Sequence, residues 1–199
     1  MPVTYPSGMD QRAFSEQAEG KPAPMPLLAV QAFANTLDIE EDADALSDAG
    51  SFRAWLEDAK MVAPRFELGA DGLAAARALR DALREALDAN TSGGLDKAAA
   101  DRLATQAGTW RIELDCDGEG RFALDLTPAK TIGELGSQFL GIVFRSQLEG
   151  TWERLKLCDN PDCRWAFYNL SRNRSGSWCR MGQCGNRLKN RAYRERHRH

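Results

Sequence analysis

Helix-periodic apolar segments fill most of the chain, one short stretch alternates with period two, and two close pairs of cysteines stand near the carboxyl end. These three observations predict an α+β protein: a mostly helical N-terminal domain with a small antiparallel β element, then a compact thiol-rich module. At 199 residues and 22.0 kDa the chain is long enough for two small domains.

Residues 1–26 carry Pro2, Pro6, Pro22, Pro24 and Pro26 among small and polar residues and read as a flexible N-terminal arm. From Leu27, L-L-A-V-Q-A-F-A-N-T-L reads as a compact apolar helix. Phe52, Trp55, Leu56 and Ala59 repeat the i, i+3, i+4, i+7 spacing behind Ser51, which is placed to cap that second helix. Between them Asp38, Glu40, Glu41, Asp42, Asp44 and Asp48 crowd together. A calcium loop begun at Asp38 would need glycine at Ala43 and glutamate at Ala49, so the span is expected to be a solvated acidic loop.

Leu73–Asp88 gathers Ala76, Leu79, Leu83, Ala86 and Leu87 on one side. Arg77 with Asp81, and Arg84 with Asp88, are spaced for ion pairs on the other. A further helix is expected over Leu95–Gln106, after the Ser92-Gly93-Gly94 break. Trp110, Ile112, Leu114 and Cys116 then alternate with polar residues, D-G-E-G supplies a turn, and Phe122, Leu124 and Leu126 alternate again. This predicts a hairpin with Cys116 on its buried face as a small apolar residue. Thr131-Ile132-Gly133-Glu134 is a capping box opening a long helix whose apolar stripe runs out near Leu148-Glu149-Gly150.

The charge balance reverses there. Residues 151–199 carry twelve basic and four acidic side chains, +8, whereas residues 1–150 carry −11 and the whole chain only −3. A strongly basic end is suited to polyanions. The expected organisation is therefore an arm over 1–26, an acidic α+β domain over 27–150 and a basic module over 151–199. The longest uninterrupted apolar stretch is about the size of Phe139–Phe144, far below the roughly 20 residues that cross a bilayer, so no membrane partner is expected.

Cys158, Cys163, Cys179 and Cys184 form C-D-N-P-D-C and C-R-M-G-Q-C, separated by fifteen residues. Four thiolates complete the tetrahedron of one structural Zn²⁺ and leave no position for water or substrate. A fifth cysteine, Cys116, leaves an odd count for disulfides, and the amino terminus shows no hydrophobic signal segment, so a reducing, cytoplasmic location is expected. The order strand, knuckle, strand, knuckle, helix suggests a treble-clef-like finger. On a helix begun near Cys184, Arg187, Arg191, Arg194 and Arg198 fall in a stripe about 60° wide, a guanidinium face suited to phosphate or guanine. The only histidines, His197 and His199, are not needed as ligands. No other histidine, glycine-rich nucleotide fingerprint or phosphate loop occurs, so no enzyme is expected.

With W-C-R-M-G-Q-C-G-N-R-L-K at Trp178–Lys189, preceded by C-D-N-P-D-C-R-W-A-F-Y-N-L-S-R-N, this end resembles the CGNR zinc finger, named for Cys184-Gly185-Asn186-Arg187. The upstream part is similar to the ABATE domain through L-A-V-Q-A-F-A-N-T-L-D at Leu28–Asp38 and A-W-L at Ala54–Leu56. The resemblance implies a bacterial, stress-induced transcription regulator whose finger binds DNA and whose ABATE domain takes an unidentified small-molecule ligand. It carries zinc over to Cys158, Cys163, Cys179 and Cys184 and makes the segment from Asn186 a DNA contact. Asn169 and Ser177 depart from the family pattern, which has an acid and an arginine there.

The sequence thus predicts DNA contacts at Arg172, Arg174, Asn186, Arg187, Lys189, Arg191, Arg194 and Arg198. The alternative is a zinc-stabilised adaptor for RNA or protein with no DNA role.

Overall fold

The computed structural model describes residues 14, 21–187, 193, 194 and 197. The expected arm of residues 1–26 lies mostly outside them, as do Lys189, Arg191, Arg198 and His199.

The core is built around one short helix. Every residue of α1 (Leu27–Ala34) is buried, because its sequence is apolar all round apart from Gln31, and a helix of that kind must be covered on all sides. Phe33 stacks on Phe139 with centroids 4.5 Å apart and meets Phe52 and Trp55 at 6.4 and 6.0 Å. These aromatics join α1 to α2 (Ala49–Asp58) and to α5 (Ile132–Leu148).

Helix α2 starts earlier than Ser51 suggests. Asp48 is the cap, its Oδ1 accepting from the amides of Gly50 and Ser51 at 2.8 and 3.0 Å, while the Ser51 hydroxyl donates to Asp48 Oδ2. An aspartate upstream of Ser51 reaches the free amides with full charge, and Ser51 is left inside the first turn. Those bonds hold the Asp48 carboxyl below its usual range: the Ser51 hydroxyl contributes most and the Ser51 amide next, against the opposing effect of burial.

The acidic span is not simply a solvated loop. It folds into a two-residue ladder, β1 (Leu37–Asp38) with β2 (Ala43–Asp44), and its carboxylates have separate tasks. Asp38 Oδ1 accepts the amides of Glu40 and Glu41, and Asp44 grips Arg80 in a two-point fork at 2.5 and 3.1 Å. Arg80 sits in α3 (Gly72–Ser92), the longest helix, which ends where Gly93 takes a left-handed φ of 94°.

On α3 the expected exposed ion pairs are replaced. Arg84 is 8% exposed, and its guanidinium donates to the carbonyls of Ala34 and Arg164 at 2.8 and 3.0 Å. Burial, with Arg80 and Arg164 nearby, lowers its pKa to about 10, so it stays charged at neutral pH. Asp88 turns instead to Arg164, and Arg77 donates to the carbonyls of Leu46 and Ser47. For Arg84 the buried Ala34 carbonyl outcompetes an exposed partner, because an unsatisfied buried carbonyl costs about 1–3 kcal/mol, more than an exposed pair returns.

Helix α4 (Lys97–Ala107), capped by Asp96, packs along α3. Among the described residues there are four two-stranded sheets. Three are antiparallel; β3 (Val62–Glu67) with β6 (Ala129–Thr131) is parallel, and Pro64 with the lack of alternation left β3 without a strand signature in the sequence. The hairpin of β4 (Leu114–Cys116) and β5 (Phe122–Leu124) is present, closed by Gly120 at φ 77°. Its expected buried face is not buried: Cys116 is exposed, as are Leu114 at 59% and Phe122 at 73%. Helix α5 covers only the far end, where Gly136 and Gly141 let Trp110, Ile112 and Leu124 approach its backbone. At the start of α5 the Thr131 hydroxyl accepts the Glu134 amide, and Glu134 reaches back one residue further than a capping box requires, to the amide of Lys130.

After Gly150 the chain makes a 3₁₀ turn and forms β7 (Leu155–Leu157) and β8 (Ala166–Tyr168). All six strand residues are buried, and the apolar core runs without a break from α1 into Trp152, Leu155, Leu157, Ala166 and Tyr168.

A four-cysteine metal centre and its basic extension

Hairpin β7–β8 is held by side chains of the helical domain. Asn35 reads both backbone groups of Ala166: Nδ2 donates to its carbonyl at 3.0 Å, and Oδ1 accepts its amide at 2.7 Å. Gln31 adds a bond to the same carbonyl, Asn90 donates to the carbonyls of Trp152 and Leu155, and the Thr91 hydroxyl donates to that of Leu157. The strands therefore deliver Cys158 and Cys163 from a fixed frame.

The first knuckle closes when Cys163 and Arg164 donate their amides to Asn160 O, both at 3.0 Å, with Arg164 in a left-handed conformation at φ 53°. Asn160 itself is 3% exposed and points its amide at Cys184 Sγ, 3.7 Å away, so it links the two knuckles. The backbone bond from the Asp159 amide to Ser177 O, 2.8 Å, does the same. The second knuckle runs through a π-helical turn, Met181–Gly185. A Cβ on Gly185 would lie 2.7 Å from Met181 Sδ and 3.2 Å from the Trp178 ring, which explains the glycine after the last cysteine.

All four sulfurs are buried and lie within 4.8 Å of one another. Cys163–Cys179 and Cys179–Cys184 are each 3.7 Å apart. Thiolates about 2.3 Å from a single ion occupy a tetrahedron with edges of about 3.8 Å. The donor set therefore fits one structural Zn²⁺, and its four sulfurs leave no open position. Among the free thiols, hydrogen bonds from Cys163 and Cys179 push Cys158 down to about 2, and the same bonding to Cys158 pushes Cys163 up to about 12 and Cys179 higher still. Metal binding must therefore expel protons from the cage. Phe167, at 1% exposure, packs on the sulfurs with Trp165 and Trp178 beside it.

The basic residues of this module divide into two kinds. Arg154, Lys156 and Arg164 are structural: Arg154 donates to the carbonyls of Asn169 and Ser171, Lys156 to that of Arg174, and Arg164 pairs with Asp88 at 2.5 Å. Burial alone lowers the Lys156 pKa. Arg172, Arg174, Arg180 and Arg187 are exposed. Arg174 folds back toward Glu153 at 3.4 Å, while Arg187 meets Glu40 of the acidic loop at 2.5 Å. Glu40 raises the Arg187 pKa. Asn186 donates to Gly182 O and so tightens the knuckle. The helix expected from Cys184 begins at Asn186, and further on Tyr193 and His197 stack at 4.1 Å with an i, i+4 backbone bond. Lys189, Arg191 and Arg198 lie outside the described residues, so only Arg187 and Arg194 of the predicted stripe are placed.

Sequence reasoning found the four ligands and missed what aims them. Asn160 carried a signal, since an amide between paired cysteines can donate to a thiolate. Asn35, Arg84 and Glu40 carried none, because their partners are 50 to 147 residues away.

Residues 28–131, just over half of the chain, match the ABATE family, described as "Putative stress-induced transcription regulator", and residues 154–197 match the CGNR zinc finger. No curated relative matches the chain. No helix among the described residues is long and apolar enough to cross a membrane. With a buried four-sulfur cage at the expected cysteines and both segments matched in this order, the chain belongs to the ABATE family and carries a CGNR zinc finger at its C-terminal end.

Proposed function

We propose that this chain is a non-enzymatic transcription regulator that docks on duplex DNA through the basic segment following Cys184. The observation that carries the reading is the charge separation, +8 over residues 151–199 against −11 before them, with the zinc cage fixing where the basic segment starts. Arg172, Arg174, Arg187 and the residues after Arg187 supply phosphate contacts that orient the finger, and a guanidinium entering the major groove reads guanine.

Arg187 is already engaged by Glu40, and the strength of that ion pair decides whether it matters. The two side chains are 59% and 40% exposed. An exposed pair contributes only about 0.2–1 kcal/mol, and a DNA duplex presents Arg187 with phosphate as one of several simultaneous contacts. A phosphate therefore displaces Glu40, and the acidic loop weakens DNA binding modestly without blocking it.

Fluorescence anisotropy of the zinc-loaded protein on duplex DNA tests the proposal. Affinity should fall steeply with salt, and replacing Arg187, Arg191 and Arg194 with alanine should flatten the slope of log K against log salt by about 0.9 for each phosphate no longer neutralised. Binding unchanged by the triple replacement would remove this segment from the interface. Preference for a hairpin RNA over every duplex would move the protein to the adaptor class.

A further inference from the structure

We propose that two copies of this chain associate through the free edge of β5, forming a continuous four-stranded antiparallel sheet about a two-fold axis at Ala123. The hairpin's own ladder decides which backbone groups are free. The Asp117 amide donates to Arg121 O at 3.0 Å and the Asp125 amide to Glu113 O at 3.1 Å, and the register pairs Asp115 with Ala123. Inward-pointing backbone groups on β5 therefore belong to Arg121, Ala123 and Asp125, and those of Phe122 and Leu124 point outward. Among the described residues, neither has a backbone partner on that side.

A two-fold axis at Ala123 places Phe122 opposite Leu124 of the second copy, which brings the outward donors and acceptors into register. It also places Arg121, which pairs with Asp117 and Glu119 of its own hairpin, opposite Asp125 of the second copy, twice by symmetry, on the polar face. On the other face Phe122 and Leu124 meet their counterparts.

The apolar side of this junction is already prepared. Helix α5 crosses the hairpin where a Cβ on Gly141 would meet Leu124 and Ile112 at 2.7 and 3.6 Å. Phe144 and Leu148 lie within about 60° of Gly141 around the helix, and they are left 54% and 75% exposed. Together with Phe122 and Leu114 they give an apolar surface that the single chain does not cover, and a second copy laid along β5 extends the sheet over it.

The other edge of the hairpin does not suit this use. The Cys116 amide on β4 is occupied by Asp115 Oδ1 at 2.8 Å. A two-fold axis on β4 at Asp115 sets Asp115 against itself and Glu113 against Asp117. Like charges directly opposite are destabilising, so β4 repels its own copy while β5 attracts it. Pairing β5 with β4 of a second copy leaves a β5 edge free to recruit a further chain, whereas the β5–β5 arrangement uses both β5 edges and ends on two β4 edges that repel their own kind.

Sedimentation equilibrium of the zinc-loaded full chain is the first test, with a reversible dimer expected. Phe122→Asp should leave the circular dichroism spectrum unchanged and the protein monomeric. Arg121→Asp should weaken the dimer about tenfold by creating two like-charge pairs, and adding Asp125→Arg to the same chain should restore it. In a Cys116→Ser background, Ala123→Cys faces its own copy in a non-hydrogen-bonded pair, where Cα atoms are about 4.5 Å apart, close enough for a disulfide. It should cross-link under mild oxidation, and Gly118→Cys at the hairpin tip should not. A strict monomer at about 100 µM, a dimer indifferent to Phe122→Asp, or equal cross-linking from Gly118→Cys would overturn the proposal.

Discussion

The molecule contains two three-residue hairpins of the same topology and opposite fate. β7–β8 is buried at all six positions, and β4–β5 is exposed at five. Both have alternating or continuous apolar residues and a workable turn, so strand propensity does not separate them. The difference is what reaches them from elsewhere in the chain. β7–β8 receives Asn35, Gln31, Asn90, Thr91 and Arg84 from helices on one side and a metal cage on the other. β4–β5 receives one helix at one end. A short two-stranded ribbon is marginal alone, and its rigidity depends on its neighbours.

That contrast is sharpest under zinc removal. Chelation, or Cys158→Ser, forfeits a binding free energy of about 10 kcal/mol or more in modules of this kind. Hydrogen exchange should show β7–β8 amides losing protection while β4–β5 amides, which the metal cage does not hold, hardly change. Equal losses in both would mean that the hairpins form one cooperative unit. Acid should favour release of the metal, since Cys163 and Cys179 bind their protons tightly.

Asn35→Ala ranks next. It strands the buried amide of Ala166 and leaves the carbonyl to Gln31 alone, so urea unfolding should show a loss of about 1–3 kcal/mol, the cost of one unsatisfied buried group; a loss below about 0.5 kcal/mol would mean that water reaches the stranded amide. Gly136→Ala probes the other hairpin's attachment. The new Cβ would sit 2.5 Å from the Trp110 ring, a rigid obstacle. A cost of about 1–3 kcal/mol is expected, with red-shifted tryptophan emission as Trp110 is displaced.

A smaller effect is set by pH. Burial would raise the Asp44 carboxyl, but the Arg80 fork and the Leu46 amide overcome it and leave it below 3.8. A carboxyl depressed in the folded state contributes stability above its unfolded pKa and loses it as pH falls through the folded value. Thermal melts should therefore decline below about pH 4, and Asp44→Asn should be less stable at neutral pH with a shallower acid limb. Smallest of all, Phe122→Asp should change the stability of the isolated chain by no more than about 0.5 kcal/mol, as expected where nothing packs.

Much of this protein was determined locally. Cysteine spacing alone named the cage, because tetrahedral coordination admits few loop lengths, and the structure brings those four sulfurs together. The 3.6-residue apolar period located α1, α2, α3 and α5, since a helix shows its buried side within a few turns. Local patterns failed where the deciding partner is distant. Arg84 and Asp88 have the spacing of an ion pair, yet the carbonyls of buried Ala34 and of half-buried Arg164 take the arginine. Cys116 alternates like a buried residue, yet it is exposed. The acidic span looked uniform, yet Asp44, Asp48 and Glu40 have partners on three different elements. Periodicity states which side of an element is apolar, but only tertiary packing decides whether that side is covered and which of several nearby acceptors a cation reaches.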